Sequence, residues 1–298
     1  TDGAAPTGGE LTDAINTGNG GEVTLEWNSA VDTSPPITYN IFVAQASGAF
    51  NWNSPYATTT GVLTYDLGGL ENNTEYFFVV RAEDIAGLTN ENYVQFSTTP
   101  TDIVPPTFAG LNTASDDLTG GTLNLSWSAA SDNSTPITYD IFYEAGSTVT
   151  SYATPGASVV GNTSYQLSGL TNNQKYTIVV LAKDTEGLYS TTIVPKYATP
   201  TDVIPPTFDG AFACSDLNEG DQLRVSWPGA QDNSLPITYN IYMATQSGAV
   251  NYDFSSATYH TQSSVYTVCD LTPGSEYYFI VRAEDAEGLE ENNTEEVG

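Results

Sequence analysis

The sequence LEWNSAVDTSPPITYNI at residues 25–41 occurs three times along this chain with small changes. It returns as LSWSAASDNSTPITYDI at residues 125–141 and as VSWPGAQDNSLPITYNI at residues 225–241. The copies are 100 residues apart, which is the length of a whole domain and far longer than one turn of a solenoid. The repeat therefore predicts three tandem domains, at residues 1–100, 101–200 and 201–298.

Each copy carries the pattern of a β-sandwich. Val23–Trp27 alternates apolar with polar residues, as a strand with one buried face does. Further runs rich in β-branched and aromatic residues lie at residues 37–43, 62–67, 75–81 and 93–96, between segments of Gly, Pro, Asn and Asp. Short runs at this spacing indicate a sandwich or a barrel. Because no long stretch has helical periodicity, the predicted fold class is all-β.

Three sequence patterns recur in every copy. A tryptophan ends the second predicted strand, Ile-Thr-Tyr opens the third, and a leucine precedes a tyrosine by six residues. Together these patterns resemble the fibronectin type III family, and the last spacing matches the tyrosine corner of its fold. The resemblance covers essentially the whole chain and implies three immunoglobulin-like sandwiches in an extended rod, of the microbial secreted or surface type. The residues are Trp27, Trp127 and Trp227; Tyr39, Tyr139 and Tyr239; Leu70, Leu170 and Leu271; and Tyr76, Tyr176 and Tyr277.

The net charge of the chain limits the partners and the location that we expect for it. It has 36 acidic residues against 6 Lys and Arg, for a formal net charge of -30. Such a chain repels nucleic acid and anionic membrane surfaces, so we expect neither as a partner. No run approaches the roughly 18 to 20 apolar residues of a membrane span, so no membrane insertion is expected. We expect an extracellular or cell-surface protein. The negative charge has three alternative explanations: it prevents self-association, it binds metal ions, or it is an adaptation to salt.

Aspartates recur in three loops that the implied fold brings to one pole of each domain. Carboxylates and loop carbonyls are the hard oxygen ligands that calcium prefers, so these loops predict calcium at the domain junctions. The alternative is turn formation, in which aspartates hydrogen-bond their own backbone. No other cofactor is expected. The candidate ligands are Asp2, Asp32 and Asp84 in the first copy, Asp102, Asp132 and Asp184 in the second, and Asp202, Asp232 and Asp285 in the third.

Both cysteines and five asparagines are candidates for covalent modification. The implied fold places Cys214 and Cys269 near strand ends at one pole of the third copy, so a disulfide is one hypothesis and two free thiols are the other. A disulfide would indicate an oxidising, extracellular compartment. Asn-x-Ser/Thr is a weak signal for N-glycosylation in a chain so rich in Ser and Thr. It occurs at Asn72, Asn124, Asn133, Asn162 and Asn292.

Nothing in the sequence predicts catalysis. The chain has one histidine, His260, and lacks the Gly-x-Ser-x-Gly, His-Glu-x-x-His and phosphate-loop motifs. We therefore expect that it is not an enzyme. Aromatic residues that do not repeat between copies either cover the sandwich edge or stack on sugars. They are Phe50, Trp52, Tyr56, Tyr252 and Phe254.

The predicted function is structural. The first copy has Gly8 where the others have Phe108 and Phe208, and the third ends without the aromatic content of residues 93–96. Two weak terminal strands predict that molecules complete each other head to tail, as the repeating subunit of a glycosylated surface filament. The alternatives are frayed ends or a longer array. The competing function is the spacer or carbohydrate-binding, adhesive region of a larger secreted protein, such as a polysaccharide-degrading enzyme.

Overall fold

The computed structural model describes residues 3–218, 220–251 and 257–298. These residues form β-strands and loops, and none of them forms a helix long and apolar enough to cross a membrane. The strands fall into three groups, which we number as domains 1 to 3 in chain order. This arrangement confirms the predicted all-β class of tandem sandwiches.

Domain 1 contains nine strands, and domains 2 and 3 each contain seven in their described parts. Domain 1 has β1 (Thr7–Gly8), β2 (Leu11–Asn16), β3 (Val23–Trp27), β4 (Ala30–Val31), β5 (Thr38–Ala44), β6 (Ala57–Thr60), β7 (Thr64–Leu67), β8 (Tyr76–Glu83) and β9 (Phe96–Thr98). Domain 2 has β10 (Leu111–Asp116), β11 (Leu123–Trp127), β12 (Thr138–Ala145), β13 (Ala157–Val160), β14 (Ser164–Leu167), β15 (Tyr176–Lys183) and β16 (Lys196–Ala198). Domain 3 has β17 (Ala213–Asp216), β18 (Leu223–Ser226), β19 (Thr238–Ala244), β20 (Tyr259–Thr261), β21 (Val265–Val268), β22 (Tyr278–Glu284) and β23 (Glu296–Val297).

Each domain packs a three-stranded sheet against a four-stranded sheet. In domain 2 the orders are β10-β11-β14 and β13-β12-β15-β16, with antiparallel pairing throughout. The same two orders occur in domain 1 as β2-β3-β7 and β6-β5-β8-β9, and in domain 3 as β17-β18-β21 and β20-β19-β22-β23. Loops that connect the sheets therefore collect at the two ends of every sandwich.

The repeated residues of the sequence form the core of each domain. In domain 2 the rings of Trp127 and Tyr139 lie 5.4 Å apart between centroids, and Ile141 and Val180 are fully buried beside them. The Tyr139 hydroxyl accepts a hydrogen bond from the Ala130 N–H at 2.7 Å. Burial of these large side chains is the main favourable term for a sandwich of this size.

The predicted tyrosine corner is present in all three domains. The hydroxyl of Tyr176 accepts the N–H of Thr171 at 3.0 Å, which fixes the loop before β15. In the same way Tyr76 accepts the N–H of Glu71 at 3.1 Å, and Tyr277 accepts the N–H of Thr272 at 2.8 Å.

The structure has no bond between Cys214 and Cys269, which corrects the disulfide hypothesis. Both are free cysteines. Cys214 lies on β17 opposite Val225 of β18, whereas β21, which precedes Cys269, pairs with the other side of β18. Strands separated by a third strand lie about 9.5 Å apart, and the two Cα atoms of a disulfide lie within about 7 Å of each other. The flanking positions therefore keep the thiols too far apart.

Free thiols lead to a chemical prediction. We expect both cysteines to react with a thiol reagent without denaturant, Cys269 at least about tenfold faster. Cys269 is exposed, whereas Cys214 is half-buried and burial raises the pKa of its thiol, so less of it is thiolate. Stopped-flow labelling with peptide mass mapping measures the two rates. A native mass two hydrogens lower than that of the reduced chain would contradict the free-thiol assignment.

Candidate functional site

Consecutive domains meet through one repeated set of contacts, which we call the joint. Joint 1 brings residues 18–20 and 72–73 of domain 1 against residues 101–103, 133–134 and 186 of domain 2. Joint 2 brings residues 118–120 and 172–173 of domain 2 against residues 201–203, 233–234 and 287 of domain 3. Turns at the end of one sandwich thus contact loops at the beginning of the next.

Backbone hydrogen bonds tie each linker to the turn of the preceding domain. At joint 1 the Gly20 N–H donates to the Thr101 carbonyl at 3.2 Å, and the Ile103 N–H donates to the Gly18 carbonyl at 2.9 Å. Asn19 and Asp102 form an isolated antiparallel bridge between these bonds. Joint 2 repeats the pattern, from Gly120 to Thr201 at 3.0 Å and from Val203 to Leu118 at 3.2 Å.

Side-chain hydrogen bonds cross joint 1 from both directions. The Asn72 Nδ2 donates to Ser134 Oγ and to Glu186 Oε1, each at 3.2 Å. Asn73 Nδ2 donates to the other oxygen of Glu186 at 3.1 Å. In return, Asn133 Nδ2 donates to the carbonyl of Asn19 at 2.9 Å.

Joint 2 reproduces these side-chain contacts at the equivalent positions. Asn172 Nδ2 donates to Ser234 Oγ at 2.7 Å, and Asn173 Nδ2 donates to Glu287 Oε2 at 2.7 Å. Asn233 Nδ2 donates to the carbonyl of Thr119 at 3.1 Å. Two joints with matching donors and acceptors define a specific docking geometry between domains.

Glycine permits the close approach at each joint. Gly20 has φ of +74°, and a Cβ there would lie 2.6 Å from Ser134 Oγ. Gly120 has φ of +81°, and a Cβ there would lie 2.5 Å from Ser234 Oγ. A side chain at either position would force the facing serine or the next domain to shift, in addition to straining the backbone.

The structure brings together two of the three predicted aspartate clusters. One carboxylate oxygen from each of Asp102, Asp132 and Asp184 lies within 4.8 Å of the others. The same holds for the cluster Asp202, Asp232 and Asp285 in domain 3. In the first copy, Asp2 lies outside the described residues, so that cluster is represented only by Asp32 and Asp84.

The turn interpretation of these aspartates also holds, but it uses only part of each side chain. In domain 2 the Oδ1 atom of Asp102 accepts the Val104 N–H at 2.9 Å, and Asp184 Oδ1 accepts the Leu188 N–H at 2.8 Å. Asp132 Oδ1 accepts the N–H of Ser134 at 2.8 Å. One oxygen per aspartate therefore shapes its loop. Of the second oxygens, Asp102 Oδ2 accepts the Ser134 hydroxyl, whereas Asp184 Oδ2 is buried without a hydrogen-bond partner.

Burial and mutual repulsion affect the acidity of the clusters. Burial raises the pKa of Asp132, and the negative charges of Asp102 and Asp184 raise it further. In domain 3, burial and the charge of Asp202 raise the pKa values of both Asp232 and Asp285. Like charges brought together in this way disfavour simultaneous ionisation in the absence of a compensating cation.

Two of the five candidate glycosylation sites lie inside joint 1. The amide nitrogens of Asn72 and Asn133 donate the cross-domain hydrogen bonds described above. A glycan on either nitrogen would displace those bonds, so glycosylation there and the assembled joint exclude each other. Asn124, Asn162 and Asn292 are exposed, and glycosylation at these three stays a prediction.

The non-repeated aromatic residues of domain 1 pack on one another. The Arg81 guanidinium lies 3.5 Å from the centroid of the Trp52 ring, and the ring of Tyr93 meets Trp52 edge-on at 5.5 Å. Phe42 and Phe50 lie 5.0 and 5.1 Å from the same ring. These contacts favour covering of the sandwich edge over sugar stacking. Tyr56 is exposed and donates its hydroxyl to Gly68, and Tyr252 and Phe254 lie outside the described residues.

The sequence predicted the aspartates of the joints but not their asparagines. A signal for them exists. Asn-Asn follows the tyrosine-corner leucine at residues 72–73 and 172–173, whereas the third copy has Pro273 and Gly274. The pair occurs in the two copies that form joint 1 and joint 2 with a following domain.

The folds and joints described above define an array of immunoglobulin-like sandwiches. The family model for the fibronectin type III domain matches residues 105–195 and 205–297, which is more than half of the chain. The chain therefore belongs to the fibronectin type III family, as its sequence predicted.

The curated relatives are bacterial enzymes. The chain is 34% identical over 170 residues to chitinase A1 of Niallia circulans, an alignment that covers 55% of this chain and 22% of that protein. It is 29% identical over 271 residues to endoglucanase B of Cellulomonas fimi, covering 89% of this chain and 24% of the relative. It is 27% identical over 283 residues to exoglucanase B of the same species, an alignment that covers 90% of this chain and 23% of that protein. The chain thus spans about a quarter of the length of these relatives.

Proposed function

We propose that this chain is the non-catalytic spacer of an extracellular protein that acts on a polysaccharide, and that it holds other parts of that protein at a set distance. The observation that carries the proposal is the repetition of one docking geometry at both joints. The names of the relatives, a chitinase and two glucanases, supply the substrate class. Fibronectin type III domains are non-catalytic modules, and the catalytic function of such a protein would belong to other segments.

The joints have the physical properties that a spacer requires. A linker free of contacts would let domains swing independently. Here backbone bonds fix the linker to the preceding domain, and side-chain bonds from residues 72–73 fix the loops of the next domain. Both kinds of contact must break before the domains reorient, so the array resists bending.

The head-to-tail filament receives less support from the same contacts. A second copy that docked through the joint geometry would place Pro273 and Gly274 against Thr33 and Ala86. These positions correspond to Asn172 and Asn173 on one side and to Asn133 and Glu186 on the other. None of the four can provide the amide-to-carboxylate hydrogen bonds of the joints, so a filament would need a different interface.

A spin-label distance measurement across joint 1 tests the spacer proposal. Labels on Val62→Cys in domain 1 and Val160→Cys in domain 2, with Cys214→Ser and Cys269→Ser, report the relative orientation of the domains. We expect a narrow distance distribution that broadens at least about twofold in Asn133→Ala/Glu186→Ala, as for domains on a flexible linker. A chelator is included throughout, so that divalent cations do not contribute.

The matched control for this experiment is Asn292→Ala/Glu75→Ala. It replaces one exposed asparagine and one exposed glutamate, as the joint variant does, and so changes the net charge equally, but both positions lie away from the joint. We expect the control to keep the narrow distribution, and both double variants to keep domain stability within about 0.5 kcal/mol. A distribution that is already broad in the parent would refute the rigid spacer. A distribution that stays narrow in Asn133→Ala/Glu186→Ala would refute the assignment of the rigidity to these side-chain hydrogen bonds.

A further inference from the structure

We propose that each joint binds one calcium ion between the three aspartate carboxylates of its cluster. The ligands are Asp102, Asp132 and Asp184 at joint 1, and Asp202, Asp232 and Asp285 at joint 2. In each set, one residue comes from the linker, one from the loop after the tryptophan strand and one from the loop after the sixth strand of the domain. The proposal concerns cation binding and does not depend on the spacer function.

The spacing of the oxygens fits a single ion. Calcium binds oxygen at about 2.4 Å, so two ligands of one ion cannot lie more than about 4.8 Å apart. In both clusters the three carboxylate oxygens lie within 4.8 Å of one another. Calcium takes six to eight oxygens in flexible geometry, so water and loop carbonyls would complete the sphere. An open cleft of about 150 Å³, lined in part by Asp102, Asp132 and Asn133, leaves room for water at joint 1.

Each cluster contains one buried carboxylate oxygen without a hydrogen-bond partner, and this second observation is independent of the spacing of the aspartates. Asp184 is 4% exposed, and its Oδ2 is buried and accepts no hydrogen bond. Asp285 is likewise 4% exposed, with an unpartnered Oδ2. Since the Oδ1 atoms are used by the Leu188 and Leu289 N–H groups, the Oδ2 atoms are the free ligands. A buried carboxylate oxygen that lacks a donor is costly, and coordination to a cation satisfies it.

The described part of the chain supplies no other counter-charge at these positions. Neither the ion pair of Lys183 with Asp140 nor that of Arg282 with Glu290 includes a cluster residue. A chain of net charge -30 thus places three carboxylates together twice without a basic partner among them. A divalent cation is the simplest group that neutralises such a site.

Binding at these positions would stiffen the joints. Gly20 and Gly120, from the turns of the preceding domains, lie directly against Asp102 and Asp202, since a Cβ at either glycine would meet an Oδ2 atom at 3.0 and 2.6 Å. An ion that fixes the linker aspartate to the loops of the following domain therefore also fixes the surface on which the preceding turn rests.

Isothermal titration of the chelator-treated full chain with calcium chloride tests the proposal. We expect a dissociation constant of about 10⁻⁴ to 10⁻³ M, the range of extracellular calcium modules. Asp184→Asn and Asp285→Asn should each remove one bound ion, and the double variant should remove two relative to the parent. Asparagine retains an Oδ1 acceptor for the loop amides, so the fold is preserved, and far-UV circular dichroism verifies this.

Matched controls and a second readout complete the test. Asp13→Asn and Asp66→Asn change exposed aspartates outside the clusters and should retain all bound ions. About 10 mM calcium should raise the thermal midpoint of the parent and of the controls by about 5 to 10 °C, and should raise that of the double variant much less. The proposal is wrong if the parent binds no calcium, or if the double variant binds as many ions as the parent.

Discussion

The Lys183→Glu substitution is expected to lower the free energy of unfolding of domain 2 by about 3 kcal/mol, the lower end of the cost of breaking a buried ion pair from one side, because the Lys183 side chain is 30% exposed. Asp140 is fully buried on β12, and the Lys183 ammonium on β15 donates to its Oδ2 at 2.7 Å. Although burial alone would raise it, the pKa of Asp140 lies below its usual range because Lys183, Ser158 and Tyr189 donate to the carboxylate. A glutamate at residue 183 would replace this donor with a second negative charge.

The other two domains indicate how that loss is reversed. At the equivalent positions Asn40 donates to Glu83 at 2.6 Å, and Asn240 donates to Glu284 at 2.7 Å. The double variant Asp140→Asn/Lys183→Glu reproduces this pairing, so we expect it to regain at least about half of the stability lost by the single variant. The test is a comparison of the two free energies of unfolding.

Hydrogen exchange of the β12 and β15 amides measures the free energy of unfolding of domain 2 in both variants, because it reports on this domain separately within the intact chain. Lys175→Glu serves as the control. It reverses a charge on the same domain, at a lysine whose described contact is with the ring of Tyr197. A double variant no more stable than Lys183→Glu would show that the partners at residues 140 and 183 do not act as a pair.

The sequence predicted the core of the fold because core residues repeat at fixed spacing. Trp127, Tyr139 and Tyr176 keep their positions in every copy, and the structure buries them as the tyrosine-corner pattern requires. Strands with a clear alternation, such as Val23–Trp27, were predicted with their observed bounds.

Strands without that alternation were missed or displaced. β2 contains a register shift between Leu11 and Asp13, which breaks the period of two, and β6 is the polar run Ala57–Thr60 at a sheet edge. The strand predicted at residues 93–96 begins only at Phe96. The reason is that the Asn92 side chain, and not the backbone, donates to the Val80 carbonyl at 2.8 Å.

The candidate site was predictable where it depends on one domain and hidden where it depends on two. The loops that carry Asp132 and Asp184 are adjacent in any sandwich of this family, so their meeting follows from the fold. The contact of Asn72 with Ser134 and Glu186 depends on the orientation of two domains, which no local pattern encodes. Comparison of repeats, rather than periodicity, is the means of finding such residues.

The second large effect is expected from Ile141→Ala, which should destabilise domain 2 by about 2 to 5 kcal/mol, as truncations in a packed core do. Ile141 is completely buried at the centre of β12, between Ala157 of β13 and Val180 of β15. Val160→Ala on the exposed edge of the same sheet is the control, with an expected change within about 0.5 kcal/mol.

Amide hydrogen exchange measures this change and also shows how far the destabilisation of domain 2 spreads along the chain. Each domain has its own hydrophobic core, so the strands of domains 1 and 3 should keep their protection in Ile141→Ala. The joint amides of Gly20 and Val203 should lose protection, because their acceptors are the carbonyls of Thr101 and Leu118, which belong to domain 2. Equal loss across all three domains would mean that the joints couple the domains into one cooperative unit, which is a stiffer array than separate cores imply.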